Sequence, residues 1–103
     1  MGESVGEDTF YLDFERIRKY DGYVYYWTLA DFSTPTKKGY FSAVHYWRGD
    51  CELFRLKNLA ETGYRGQMAK GEILGTSNKE DIDWTYPNPN SPNEYILKVV
   101  CSR

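Results

Sequence analysis

The alternation of apolar and polar residues predicts that most of this chain forms β-strands. The longest strand candidate spans residues 23–32, and both of its faces are apolar. One face carries Tyr23, Tyr25, Trp27 and Leu29, and the other carries Val24, Tyr26, Ala30 and Phe32. Because successive side chains of a strand point to opposite faces, a strand with two apolar faces needs cover on both. We therefore expect this strand to be central in its sheet.

Turn residues separate further strand candidates at residues 9–13, 40–47, 51–60 and 67–74. Asp21-Gly22 marks a turn before the long strand, and residues 76–83 form a polar linker. Gly49-Asp50 is predicted to be a two-residue hairpin turn, because a type II′ turn requires glycine at its first central position. That turn would fix the register of its two neighbouring strands.

The last quarter of the chain contains the one convincing helix. Ser91 is a good N-cap, Pro92 suits the first helical position, and Glu94 completes a Ser-x-x-Glu capping box. Leu97, Val100 and Cys101 then recur at helical spacing. We expect this apolar stripe to pack against the sheet.

These elements predict an α+β fold, an antiparallel sheet of about five to six strands with one C-terminal helix packed on one face. A chain of 103 residues and 12.1 kDa is long enough for one modest core. The acidic, glycine-containing residues 1–8 are predicted to be a disordered N-terminal segment, and residues 9–103 a single domain.

The charge balance gives no general attraction to nucleic acids or acidic membranes. Lys and Arg number 13 against 15 Asp and Glu, for a net charge of -2. Residues 37–44 have the basic, glycine, aromatic order of an RNA-binding strand, but Ser42 stands where a second stacking aromatic residue is needed. We therefore expect no nucleic acid partner, and a single-stranded nucleic-acid binder is the lowest-ranked alternative.

The termini and apolar stretches bear on location. No stretch approaches the roughly 18 apolar residues that a transmembrane span requires. The first residues lack the basic and then apolar order of a signal peptide. Met1 is either a true start or a start that follows a removed leader.

The residues with chemical reactivity are few. A structural zinc site needs about four nitrogen or sulfur ligands, and the chain has two cysteines and one imidazole, His45. The carboxylates are scattered and no phosphate-binding loop is present. We predict no catalytic residues, no metal, no cofactor and no enzymatic activity. Cys51 and Cys101 are either buried thiols in a cytosolic protein or one disulfide in an exported protein.

Several sequence pieces occur together in a characteristic order. They are Asp21–Tyr25, Trp27–Phe32, Asp50-Cys51 followed by Phe54–Leu56, Gly71–Ile73, and Trp84-x-Tyr-Pro with Ser91, Glu94, Leu97 and Cys101. Because these pieces occur in this order, the chain resembles the surface-adhesin protein E family of small exported bacterial domains. The resemblance implies an antiparallel sheet crossed by a C-terminal helix and a disulfide from Cys51 to Cys101. It also implies export to the periplasm, outer membrane or cell surface, and binding of host extracellular proteins, in some members as dimers.

The chain is rich in aromatic residues, with 10 Tyr and 3 Trp. One short helix cannot cover aromatic side chains on both faces of the long strand, so we predict an exposed binding patch. The candidate patch residues are Tyr23, Tyr25, Trp27, Tyr40, Tyr46 and Trp47. We expect this patch to bind a protein or envelope component. One alternative is a periplasmic domain that binds a small ligand or carbohydrate in a pocket between helix and sheet. Another is that the second sheet face has no binding role, because bulky side chains fill it or a homodimer buries it.

Overall fold

The computed structural model describes residues 3–5 and 8–103, with the backbone alone considered for residues 3–5. Within these ranges the chain forms seven strands, one short 3₁₀ turn and one α-helix. The strands are β1 (Glu3–Val5), β2 (Asp8–Leu12), β3 (Arg18–Tyr20), β4 (Tyr23–Asp31), β5 (Ser42–Asp50), β6 (Arg55–Tyr64) and β7 (Ile73–Ser77). The 3₁₀ turn is Phe14–Arg16, and helix α1 is Pro92–Cys101.

All strands pair antiparallel in one sheet of order β1-β2-β4-β5-β6-β7. Strand β3 pairs with the first part of β4, beside the stretch that pairs with β2. The predicted α+β architecture is confirmed, and the three-residue strands β1 and β3 add to the strands predicted from the sequence. Strand β4 is central as expected, because it pairs with β2 and β3 on one side and β5 on the other.

The predicted disordered segment, residues 1–8, is only partly described. Residues 1, 2, 6 and 7 lie outside the described residues. The backbone of Glu3–Val5 pairs with β2, and Asp8 begins β2 itself. Pairing at a sheet edge requires only backbone donors and acceptors, so a short polar segment gives no alternation signal by which to predict it.

The predicted turn at Gly49-Asp50 is wrong, because both residues remain in β5. Asp50 pairs with Arg55, and the loop between the strands is residues 51–54. The Asp50 carboxylate organises this loop by accepting hydrogen bonds from the backbone N–H groups of Glu52 and Leu53, at 3.1 and 3.2 Å. Strand β5 therefore ends later than predicted, and strand β6 starts later than predicted.

Gly49 is required for a different reason. A Cβ atom at this position would lie 2.8 Å from Leu97 Cδ1 and 2.9 Å from Val24 Cγ1. Contacts that short do not occur between real side chains, so only glycine allows α1 to approach the sheet this closely. The glycine that suggested a turn is a helix-packing position.

Helix α1 begins as predicted. The Ser91 side chain accepts a hydrogen bond from the Glu94 N–H at 3.1 Å, which satisfies one of the free donors of the first turn. The Glu94 carboxylate accepts from the Asn90 N–H at 2.9 Å, one residue before the cap. The buried residues of the helix are Ile96, Leu97 and Val100.

The core lies between α1 and one face of the sheet. Val24 and Tyr26 of β4 and Leu56 of β6 pack with the three buried helix residues. Cys51, in the loop after β5, forms a disulfide with Cys101 at the end of α1, with the two Cα atoms 5.6 Å apart. The predicted disulfide is confirmed, and it fastens the C-terminal end of the helix to the β5–β6 loop.

Candidate binding surface on the open sheet face

The two faces of β4 differ in cover. Val24, Tyr26, Thr28 and Ala30 are buried, and the residues between them are half-buried, in strict alternation. Helix α1 packs on the face with Val24 and Tyr26. Side chains directly opposite each other on paired strands share a face, so the strand register assigns every neighbouring residue to one side.

Three predicted patch residues come together on the face opposite the helix. Trp27 lies directly across from Tyr46, and their ring centroids are 4.4 Å apart. The Tyr25 ring lies 6.2 Å from that of Tyr46, in a similar stacked orientation. Tyr23 lies on the same face, 5.4 Å from Trp84, an aromatic residue that the predicted patch did not include.

Two predicted patch residues do not join this cluster, which corrects the patch. Trp47 follows Tyr46 in β5, so its side chain points to the helix side, where its indole N–H donates to Thr28 Oγ1 at 2.8 Å. Tyr40 is 9% exposed, and its ring covers Gly63 and Gly75 so closely that a Cβ atom at either glycine would overlap it. Both residues fill the covered side of the sheet.

Cationic side chains extend the aromatic cluster in both directions. The Arg16 guanidinium lies 4.9 Å from the centre of the Trp27 ring. The Arg48 guanidinium lies 5.4 Å from the Tyr25 ring and 5.7 Å from the Tyr23 ring, and its Nε donates to the Tyr25 hydroxyl at 3.1 Å. These are cation–π distances.

The same arrangement continues at Trp84, where the Arg55 guanidinium lies 4.4 Å and the Lys57 amine 5.2 Å from the ring. We call the whole run the aromatic-cation ladder. In order of contact, it comprises Arg16, Trp27, Tyr46, Tyr25, Arg48, Tyr23, Trp84, Arg55 and Lys57. No local sequence pattern marks its cations, because Arg16 lies outside the predicted strands and the positions of the others depend on the strand register.

Carboxylates hold most of these cations in place. Asp13 bonds Arg16 at 2.7 Å, and Glu80 contacts Arg48 at 3.2 Å and Lys57 at 3.5 Å. The hydrogen bond from Arg16 lowers the pKa of Asp13. Burial alone would raise the pKa of Asp50, but the hydrogen bonds it accepts from Arg55 and the loop backbone outweigh burial and lower it.

Two shallow hollows lie on the open face beside Trp27. One, of about 230 Å³, is lined by Arg16, Arg18, Tyr25, Trp27 and Tyr46. The other, of about 290 Å³, is more apolar, and its lining includes Tyr11, Trp27, Leu29, Val44 and Ala69. Trp27 and Arg16 line both, so the two hollows form one continuous surface.

His45, the one imidazole of the chain, lies opposite Thr28 and therefore on the helix side of the sheet, away from this surface. Burial lowers the pKa of His45, and Glu61, with its carboxylate 3.9 Å away, partly opposes that change. Within residues 8–103, no group of three or more His, Cys, Asp and Glu side chains is placed to hold a metal ion. Nor does the described part of the chain contain a helix long and apolar enough to span a membrane.

The fold and this surface define a class of protein: a small disulfide-linked domain with one sheet face closed by a helix and the other open and aromatic. The sequence matches the family described as Surface-adhesin protein E over residues 1–102, and the chain belongs to that family. The resemblance noted from the sequence is thereby confirmed. No curated protein sequence matches the chain.

Solved structures of Haemophilus influenzae protein E share the fold. Crystal form II aligns with a TM-score of 0.72 and 15% identity, covering 90% of this chain and 80% of that one. The selenomethionine form gives a TM-score of 0.71 at 14% identity, with 91% and 79% covered. Protein E from a non-typeable strain gives 0.62 at 14% identity, with 90% and 69% covered. At these identities the likeness shows the fold alone.

Membership of a surface-adhesin family implies a non-enzymatic role. The family and the disulfide together suggest an exported protein, because disulfides persist in oxidising compartments.

Proposed function

We propose that this chain is a non-enzymatic bacterial domain, formed by residues 9–103, that acts in the periplasm or at the cell surface and binds a protein partner through the aromatic-cation ladder. The observation that carries the proposal is the cluster of half-buried Tyr25, Trp27 and Tyr46 on the sheet face opposite α1. The family description supports the adhesin-like role.

The chemistry of the aromatic-cation ladder suits protein recognition. Tyr, Trp and Arg are the residues most enriched where binding energy concentrates in protein interfaces. Here the rings and guanidiniums already support one another, so little side-chain freedom remains to be lost on binding. A surface of this kind, with only shallow hollows, matches a protein better than a small molecule.

A small-ligand or carbohydrate site is the second candidate, and the geometry favours it less. The two hollows, of about 230 and 290 Å³, are small for a ligand pocket, and the Trp27 ring is already stacked with Tyr46 and in contact with the Arg16 guanidinium. A sugar or nucleic-acid base that stacks on an aromatic residue needs a free ring face. A second copy of the chain is also less favoured here, since two identical basic surfaces would face each other.

Binding to immobilised extracellular-matrix proteins, measured by biolayer interferometry, tests the proposal. We expect Trp27→Ala and Tyr46→Ala each to weaken binding by roughly 30-fold, as for central aromatic residues of an interface. Tyr95→Ala is the matched control, because Tyr95 is an exposed aromatic residue on α1. Equal loss in all three variants, or loss in Tyr95→Ala alone, would contradict the proposal.

A further inference from the structure

The open face is basic although the chain as a whole is not. The net charge is -2, yet four cations belong to the aromatic-cation ladder within the described residues, and three carboxylates pair with them, Asp13, Asp50 and Glu80. Local charge, rather than net charge, determines which partner a surface attracts. The face most suited to binding therefore favours an acidic partner.

Arg18 adds to this basic character. It lies directly across from Tyr25 and lines the same hollow as Arg16, Trp27 and Tyr46. No carboxylate within the described residues forms an ion pair with it, in contrast to Arg16 and Arg48, each of which has one. Arg18 can therefore donate hydrogen bonds to a partner's carboxylate without giving up an ion pair within its own chain.

The second hollow supplies a different kind of contact. Leu29 and Val44 lie across from each other on β4 and β5, and with Tyr11 and Ala69 they line an apolar depression beside Trp27. An apolar side chain placed there would remove this surface from water. A partner with acidic groups alone would leave the depression unused.

We propose that the open face binds an acidic polypeptide segment that also carries apolar residues. Its carboxylates would lie against Arg18 and the guanidiniums of the aromatic-cation ladder, and an apolar side chain would occupy the depression lined by Leu29 and Val44. This inference rests on the proposed function, since it names the chemistry of the protein partner. A sulfated glycan would satisfy the cations, but it has no apolar side chain for the depression.

Fluorescence anisotropy with labelled peptides tests this assignment. The probe is a fluorescein-labelled peptide of Glu-Glu-Leu repeats, compared with Glu-Glu-Ser repeats, which keep the charge and lose the apolar residue. We expect the leucine peptide to bind roughly tenfold more tightly, the gain from burying one such side chain. A heparin oligosaccharide, used as a competitor, provides the polyanion without apolar groups.

Two neighbouring cations of β3 provide the matched variants. Arg18 and Lys19 are both exposed, but strand alternation and the register place Arg18 opposite Tyr25 on the open face and Lys19 opposite Val24 on the helix side. Arg18→Gln and Lys19→Gln make the same change in net charge. We expect Arg18→Gln to weaken peptide binding roughly tenfold, as for loss of a charged hydrogen bond. We expect Lys19→Gln to change it by less than about twofold.

Each other outcome overturns the inference. Equal effects of Arg18→Gln and Lys19→Gln would show that net charge alone attracts the peptide. Equal binding of the two peptides would remove the role of the apolar depression, and tighter heparin binding with the same Arg18 dependence would identify a glycan site. If neither peptide binds while matrix binding still depends on Trp27, the inference fails and the proposed function stands. If matrix binding is independent of Trp27 as well, both fail.

Discussion

Tyr25 and Tyr26 are neighbours in β4 and end in opposite environments. Tyr26 is 2% exposed beneath α1, and burial raises the pKa of its hydroxyl above the ordinary value. Tyr25 is half-buried on the open face, where its hydroxyl accepts a hydrogen bond from Arg48. Similar aromatic side chains thus form a core on one face of the sheet and a surface cluster on the other, because helix α1 covers only the first of these faces.

The two faces also differ in what fixes their geometry. The covered face depends on close approach, with Gly49 under Leu97 and the disulfide holding the end of α1. The open face depends on rings and guanidiniums that pack along the aromatic-cation ladder. We therefore expect changes on the covered face to lower stability and changes on the open face to lower binding.

The largest effect should follow removal of the disulfide. Cys51 and Cys101 close a loop with a sequence separation of 50. Replacing both with serine should lower the free energy of unfolding by about 4 kcal/mol, chiefly because the unfolded chain gains conformational entropy without the cross-link. Urea unfolding followed by circular dichroism measures this. The folded fraction should still bind partner through the open face. Unchanged stability would show that the helix docks without the covalent link.

The pair Tyr26→Ala and Tyr25→Ala gives the sharpest comparison of the two faces. Tyr26→Ala should lower the free energy of unfolding by about 3 kcal/mol, since it leaves a cavity under α1. Tyr25→Ala should lower it by about 1 kcal/mol, because the side chain is only partly covered. Urea unfolding and matrix binding of both variants measure the comparison.

For binding, the expected order is reversed, with the larger loss in Tyr25→Ala at temperatures where both variants are folded. Equal stability losses, or a binding loss confined to Tyr26→Ala, would contradict the division between the faces.

The smallest effect concerns acid stability at the edge of the open face. The folded state lowers the pKa of Asp50 below 3.8, so the stability from its ionised form is present above that value and is lost as the pH falls through the lower folded pKa. Asp50→Asn should therefore lose stability less steeply than the parent chain below about pH 4.

Urea midpoints measured from neutral pH into this acid range test the Asp50 prediction. The control is Glu52→Gln, an exposed carboxylate two residues along the same loop. If the urea midpoints of the parent chain and Asp50→Asn fall in parallel as the pH is lowered, ionisation of Asp50 does not contribute to the stability of the fold.

Local signals in the sequence predicted the parts of the fold that depend on local chemistry. The Ser91 cap needs only a side chain and a nearby N–H, and the alternation along residues 23–32 assigned Tyr26 and Tyr25 to opposite faces before any partner was known. The pairing of the cysteines followed from resemblance to a family.

The remaining features depend on distant parts of the chain. A glycine in a turn and a glycine under a helix look alike in sequence, so Gly49 could be assigned only once α1 was placed. The contacts of Arg16 and Arg48 with the aromatic rings required the register of β4 and β5 and the position of the 3₁₀ turn. The separation of Tyr46 from Trp47 was available from alternation, and grouping them in one patch overlooked it.

The indole N–H signals of the three tryptophans, in a spectrum of ¹⁵N-tryptophan-labelled protein, show which sheet face binds the partner. Trp27 and Trp84 belong to the aromatic-cation ladder, whereas the Trp47 indole is bonded to Thr28 on the covered face. Titration with a matrix protein selected in the binding assay should shift or broaden the Trp27 and Trp84 signals and leave Trp47 in place. Movement of the Trp47 signal alone would place the binding surface on the helix side and exclude binding through the open face.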